Sequence, residues 1–288
     1  MTKLKWFIIL FIVACVGVSV VFAQRYSSRR YSNRRSVPDW ESDKEFFYDV
    51  FTFARIRYSS GYGESRYRGG YGRGYGRGFS GGSWATDYPD SDLNFSFRLH
   101  QLTSMEVNPD GVVLELTDPK LFNYPFIYIV EPGRLVFSEE EVKNLRRYLL
   151  NGGFLMVDDF WGEDEWLNFY YEIKRVFPDR EPIELGSGHP IFHAVFELKE
   201  KPQIPSINAA WEGRPYGRTW EPRPSDTSQP HYKAIYDDKG RIMAIICHNT
   251  DLGDGWEREG EDEWYFREFS EKIAYPLGIN IVFYAMTH

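Results

Sequence analysis

Three short apolar runs, Phe126 to Val130, Phe154 to Val157 and Ile242 to Cys247, constrain this chain more than any other feature. Each is short for a helix and apolar throughout, which is the pattern of a strand whose two faces are both covered. Between the first two lies a segment with helix signals at both ends. Ser138 with Glu141 three residues on forms a capping box, and Asn151-Gly152-Gly153 follows Leu150 as a stop. Strand, helix and strand at this spacing make a parallel βαβ unit. The flanking pattern extends it. A strand is predicted over 46–58, a helix over 91–105 with Leu93, Phe97, Leu99 and Leu102 inward, and a short strand over 112–116. A second helix is predicted over 163–177, stopped by Pro178, and a closing helical region over 264–286, bent at Pro276. The expected fold is α/β, with a mainly parallel sheet and helices on both faces. In such sheets ligand sites gather at the carboxyl ends of the strands.

The N-terminus carries an address. Lys3 and Lys5 precede an apolar run from Trp6 to Ala23, ending Val21-Phe22-Ala23 before Gln24. That is the form of a secretory signal peptide cut after a small residue. The run is also long enough to persist as an uncleaved anchor. Ile12-Val13-Ala14-Cys15 loosely resembles a lipoprotein box, although the apolar run continues past Cys15. All three readings place the domain outside the cytoplasmic membrane, in the periplasm, the cell envelope or the medium. The N-terminal segment is its only expected membrane contact. Sequencing of the mature protein should start near Gln24, and an intact Met1 in a soluble cytoplasmic fraction would overturn this expectation.

Only Cys15 and Cys247 are present, so a cleaved chain has no intramolecular disulfide and must rest on its core. Hydrophobic residues at 42% are enough for one. The net charge is −8, falling to −10 when Lys3 and Lys5 leave with the signal, which argues against a general nucleic-acid binder.

Residues 24–45 hold Arg25, Arg29, Arg30, Arg34 and Arg35 among Ser and Tyr. They read as a basic disordered linker, either a plain spacer or a contact for anionic lipid and envelope glycans. The α/β domain follows over 46–288. It is interrupted over 59–82 by a Gly/Tyr/Arg repeat, read as a flexible loop insertion. The export signal argues against the RNA contact such a repeat suggests elsewhere.

The strand ends hold the candidate chemistry. The run 154–157 delivers Asp158 and Asp159, the run 242–247 delivers His248, Asn249 and Asp251, and the run 126–130 delivers Glu131. The first strand carries Arg55, Arg57 and Tyr58. Two adjacent carboxylates can bind a metal, share a proton or cap the next helix. His189 and His193 have ligand-like spacing, but Pro190 interrupts any helix that would align them. His248 to Asp251 is either part of a site or a shaped loop. The chain has no Gly-x-Ser-x-Gly elbow, phosphate-binding loop, dinucleotide fingerprint or His-Glu-x-x-His, so no cofactor is implied.

Several segments together carry a resemblance. They are Phe53-x-Arg55-x-Arg57-Tyr58, Trp84-x-Thr86-Asp87-Tyr88-Pro89-x-x-Asp92-x-Asn94-Phe95, Gly152-Gly153-Phe154-x-x-x-Asp158-Asp159, His189-Pro190-Ile191-Phe192 and His248-Asn249-x-Asp251. The set resembles the domain of unknown function 4159 family over roughly residues 46 to 288. The resemblance implies a class I glutamine amidotransferase-like fold with a flavodoxin-like sheet. It also draws Arg55, Trp84, Asp87, Asp92, Asp158, Asp159, His189, His248, Asn249 and Asp251 into one candidate site. Amidotransferases of this fold carry a nucleophilic cysteine on a tight turn after a central strand. Here Asp158-Asp159 stands in that place. Cys247 lies on a later strand, and its neighbour His248 must point to the opposite face, so glutamine hydrolysis is disfavoured.

Two functions follow. The first is an exported binding or scaffold domain without catalysis, its partners unidentified and drawn from envelope proteins or glycans. The second is a hydrolase-like or carbohydrate-active enzyme, metal-dependent or not. In it Asp158 or Asp159 serves as acid or base, His248 or His189 assists, and Trp84, Trp161 and Trp211 stack on sugar. Convergence of Asp158, Asp159, His189 and His248 favours chemistry, and scatter favours scaffolding.

Overall fold

In the computed structural model, which describes residues 37–42, 49–60, 83–223 and 226–288, the three apolar runs are adjacent strands. β3 (Phe126–Val130) pairs in parallel with β4 (Phe154–Asp158), and β4 with β7 (Ile242–His248). On the far side of β3 lie β1 (Ala54–Ile56) and then β2 (Val112–Leu114), both parallel. Beyond β7 the sheet turns antiparallel through β6 (His231–Tyr236) and β5 (Ile183–Glu184). The order is β2-β1-β3-β4-β7-β6-β5.

The sheet is mostly parallel, as expected, and an antiparallel extension of two strands adds to it. β6 alternates half-exposed His231 and Lys233 with buried Tyr232 and Ala234. That period marks an outer strand with one wet face, and a search for continuous apolar runs passes over it. The described part of the first strand is also shorter than predicted, at three residues.

The α/β architecture is completed by helices on both faces. α1 (Asp90–Leu102) links β1 to β2 and stops three residues before the predicted end. α2 (Glu139–Leu150) carries the predicted capping box, with both reciprocal bonds made. α3 (Gly162–Val176) follows β4, and α4 (Ile207–Gly213) lies in the long connection between β5 and β6. α5 (Leu252–Glu257) follows β7. The closing region is α6 (Glu263–Tyr265), a π-helical stretch (Phe266–Ala274) and α7 (Tyr275–Thr287). The irregularity thus lies before Pro276 and not at it. Proline has no N–H to donate and its ring crowds the carbonyl one turn back, so the wide preceding turn accommodates it.

Strand alternation divides the core. Ala54, Ile56, Ile127, Ile129, Leu155, Val157, Ala244 and Ile246 face α2 and α3, where Leu145, Leu149, Phe169 and Ile173 cover them. On the opposite face Phe53 and Tyr128 pack against Phe95 of α1 and Trp256 of α5. Each large apolar side chain buried this way contributes about 2 to 3 kcal/mol. Tyr128 places a polar tip among these rings, and that tip leads to the site.

The structural units are 1–41 and 42–288, and the architecture above belongs to the second. The expected leader over 1–23, most of the linker over 24–45 and most of the insertion over 59–82 lie outside the described residues. Among the described residues no helix is long and apolar enough to cross a membrane.

Candidate functional site

Asp158 closes β4 on the Tyr128 face of the sheet and is 0% exposed. Its Oδ2 accepts from the Tyr128 hydroxyl (3.2 Å) and from the backbone N–H groups of Leu252 (2.8 Å) and Gly253 (3.0 Å). It therefore caps a helix, but that helix is α5 after β7 and not the next one along the chain. Its Oδ1 is buried without a donor among the described residues. Burial pushes the carboxyl up to about 7, against the opposing pull of the Gly253 and Tyr128 hydrogen bonds.

Asp159 does not cap α3 either. The start of that helix is served by Glu165, whose Oε2 accepts from the Trp161 N–H at 2.7 Å. Asp159 instead has φ of 57°, and its Oδ1 accepts from the Trp161 ring nitrogen at 3.1 Å. Asp251 is the cap residue of α5, accepting from the Asp254 N–H at 2.7 Å. Asp87 arrives from the connection between β1 and α1, with φ of 61°, and its Oδ2 is buried without a donor among the described residues.

These segments converge. One carboxylate oxygen each from Asp87, Asp159 and Asp251 lies within 4.8 Å of the others, and Asp87 stands equally close to Asp254 and Glu257. Burial raises the carboxyls of Asp87, Asp159 and Asp251 well above the usual carboxylate range. Neighbouring carboxylates then add to it: Glu257 and Asp254 on Asp87, Glu131 and Asp87 on Asp159, Asp159 and Asp254 on Asp251. Glu131, at the end of β3, is held near 7 by burial and by Glu165, against the Thr86 and Ser83 hydroxyls. Chemically the group can share protons, transfer them to a ligand, or hold a cation through Asp87, Asp159 and Asp251.

The backbone is strained where the carboxylates stand. The described non-glycine residues with positive φ are Asp87, Glu131, Asp159 and Asn249, and all four belong to the connections that bound this site. Left-handed backbone costs about 1 kcal/mol or more per residue and persists only where the surroundings impose it.

Arg55 supplies one such imposition. It is fully buried, and its Nε and Nη2 bind Asp92 at 3.0 and 2.6 Å. The remaining donors go to the carbonyls of Trp84 (3.1 Å) and Thr86 (2.9 Å) and to the Ser91 hydroxyl (2.8 Å). One guanidinium thus anchors both sides of Asp87. Burial alone would lower its pKa, but the Asp92 carboxylate and its hydrogen bond raise it. Asn249 plays the matching part after β7. Its Oδ1 accepts from the Gly162 N–H at 2.8 Å, and its amide donates to the carbonyls of Asp226 and Gln229.

The histidines make their contacts with groups other than Asp87, Asp159 and Asp251. His248 points to the opposite face from its neighbour Cys247. Its ring lies 4.8 Å from Phe160 and 5.5 Å from Trp166, and Nε2 contacts the Gly162 carbonyl at 3.0 Å. His189 faces Tyr284 of α7, and its Nδ1 accepts from the Ile191 N–H. His193 contacts Glu197 and Ser187. Trp84 and Trp161 stay with the site, the first through its carbonyl on Arg55 and the second through Asp159. Trp211 is exposed on α4, against Trp264 and Arg214. Arg57 is paired with Glu115 on the surface. Cys247 is fully buried, and burial pushes its thiol up, the opposite of an activated nucleophile.

Sequence reasoning missed Tyr128, Gly253, Asp254 and Glu257. Tyr128 lies inside an apolar run, where only its hydroxyl signals a partner. The other three lie within two turns past Asp251, and a helix start at Leu252 would have brought them in.

Comparison with curated proteins gives no match. The family model described as domain of unknown function (DUF4159) matches residues 52–286, which take in every carboxylate described above. The chain belongs to this family.

Proposed function

We propose that the chain binds a polar ligand at the carboxyl edge of its sheet and acts on it by carboxyl acid–base chemistry, as a hydrolase-like enzyme of the cell envelope. The observation that carries this reading is the convergence of Asp87, Asp159 and Asp251, with Asp158 alongside, from three separate segments. Carboxyls whose pKa burial and neighbouring carboxylates raise suit proton transfer, and strained backbone concentrates where geometry serves a ligand. The envelope location rests on the leader-like residues 1–23.

The finer fold reading supports the same place. The parallel strands run in the order β2-β1-β3-β4-β7, which corresponds to the flavodoxin-like order 2-1-3-4-5. In that arrangement the strand order reverses between β1 and β3, which is where ligands bind in such sheets. Tyr58 closes β1 against this point by donating to the carbonyls of Val130 and Glu131. We read the fold as glutamine amidotransferase-like, with carboxylates in place of the thiol chemistry.

Asp87→Asn and Asp159→Asn test the proposal, since Asn keeps the shape and the acceptor oxygen. Both variants should unfold within about 1 kcal/mol of wild type. Turnover of envelope glycan and peptide fragments, followed by mass spectrometry, should fall at least ~100-fold in each. Undiminished turnover in both sinks the acid–base reading. Carboxylate-dependent binding with no turnover by wild type returns the chain to a binding domain.

A further inference from the structure

We propose that Asp87, Asp159 and Asp251 hold a hard divalent cation, Ca2+ foremost, at the carboxyl edge of the sheet. The inference deepens the proposed function and rests on the same site. Three oxygens from three separate segments lie within 4.8 Å of one another. Each segment is tied independently: Asp159 to the Trp161 ring, Asp251 to the start of α5, and the Asp87 connection to Arg55.

A second observation lies beside the same space. Asp158 is fully buried, and its Oδ1 has no donor among the described residues. Its other oxygen is bound to Tyr128 and Gly253. Gly253 stands against the cluster, because a Cβ there would lie 2.5 Å from Asp87 Oδ2, 3.1 Å from the Tyr128 hydroxyl and 3.6 Å from Asp251 Oδ1. The Asp158 carboxyl therefore shares its surroundings with Asp87 and Asp251. The buried Asp87 Oδ2 likewise has no donor.

The nearby guanidinium groups make their ion pairs with carboxylates other than Asp87, Asp159 and Asp251, although Arg55 and Arg258 pull on Asp87 from a distance. Arg55 binds Asp92, Arg258 binds Asp254 and Glu257, and Arg223 binds Glu165 and Glu221. Carboxylates packed this closely away from water cannot all ionise without a counter-charge. The donors are all oxygen, with no histidine or cysteine, which selects Ca2+, Mg2+ or Mn2+ over Zn2+ or copper. With Ca–O distances of roughly 2.3–2.6 Å, one ion reaches oxygens separated by that spread. Mg2+, at roughly 2.0–2.1 Å, requires the carboxylates to close in. A cation there polarises a ligand oxygen that reaches it.

Terbium is the probe for the full chain, since Trp161 touches a ligand carboxylate and is placed to sensitise its emission. Saturable Tb3+ luminescence is expected, displaced by Ca2+ and more weakly by Mg2+. Trp161→Phe should dim the emission and, because it removes the donor that ties Asp159, should also weaken Ca2+ by calorimetry. Asp87→Asn, Asp251→Asn and Gly253→Ala should each weaken Ca2+ at least tenfold, and Glu268→Gln on the surface should leave it unchanged. One readout needs no variant: Ca2+ should raise the wild-type melting temperature, and EDTA should lower it to the cation-free value. Absence of Ca2+, Mg2+ and Mn2+ binding by wild type overturns the site, as does binding that survives both Asp variants. Carboxylate-dependent turnover in EDTA without cation binding retires the cation alone. Cation binding without turnover retires the acid–base chemistry alone.

Discussion

Replacing Arg55 with methionine is expected to cost about 3 to 5 kcal/mol of folding stability, a large share of the roughly 5–15 kcal/mol of a typical domain. The guanidinium is fully buried and Asp92 is 2% exposed, so the change leaves a carboxylate in the interior with no counter-charge. It also removes the donors that hold the Trp84 and Thr86 carbonyls. Lysine should recover only part of the loss, because an ammonium cannot copy the planar fork that grips Asp92 on two nitrogens. The double variant Arg55→Met, Asp92→Asn should be milder than the single one, since it no longer buries an unpaired charge. Urea denaturation measures all three. A single-variant loss below about 1 kcal/mol would show that the pair is dispensable. The same variant should weaken ligand or cation binding at Asp87, because both carbonyls belong to the segment that leads into that residue.

The second large effect is a pH response set by His248. Burial lowers its pKa to about 4, helped by His231 and Lys233 and opposed by the Gly162 carbonyl and Glu184. The ring is 5% exposed, so solvent screens little of this. In the unfolded chain the imidazole titrates near ~6.5. As pH falls below that value the unfolded state takes up a proton that the folded state refuses. Stability attributable to His248 is therefore intact above about 6.5 and drains away as pH falls to about 4. The full difference is about 3 kcal/mol. The raised carboxyls of Asp87, Asp158, Asp159 and Asp251 act with the opposite sign, so the wild-type profile alone mixes the two effects. The difference between wild type and His248→Gln isolates the histidine. Glutamine keeps a donor toward the Gly162 carbonyl, and its advantage over wild type should grow by about 3 kcal/mol between pH 7.5 and 4. Parallel stability curves for the two proteins would show that the ring is already charged in the fold.

The legible parts of this protein are those written in local sequence. Ser138 and Glu141 mark a helix start because both capping bonds join residues within one turn. Phe126 to Val130 and Phe154 to Val157 read as buried strands because no polar residue interrupts them. The strand-end rule then finds Asp158, Asp159 and Asp251 without any knowledge of packing. Asp87 and Asp92 entered only through the family resemblance, because neither stands at the end of an apolar strand: Asp87 lies in a connection and Asp92 in the first turn of α1.

The same rule proposed His248, the His189/His193 spacing proposed His189, and in the tertiary structure both rings contact groups other than Asp87, Asp159 and Asp251. Successive strand residues alternate faces, so Cys247 and His248 face apart and only one side of β7 can share space with Asp158. Which side holds the carboxylates depends on the sheet register and on where α1 and α5 dock. The sequence by itself thus determined the elements, the burial of the central strands and the edge of the sheet where chemistry stands. Tertiary structure alone decided that Arg55 reaches Asp92 across 37 residues and that Asp158 caps a helix 94 residues later. It also decided that Asp87, Asp159 and Asp251 meet. Hydrogen bonds and hydrophobic periodicity within a turn or a strand are set by nearby residues. The meeting of carboxylates from distant segments is set by the path of the whole chain, and composition carries no record of that path.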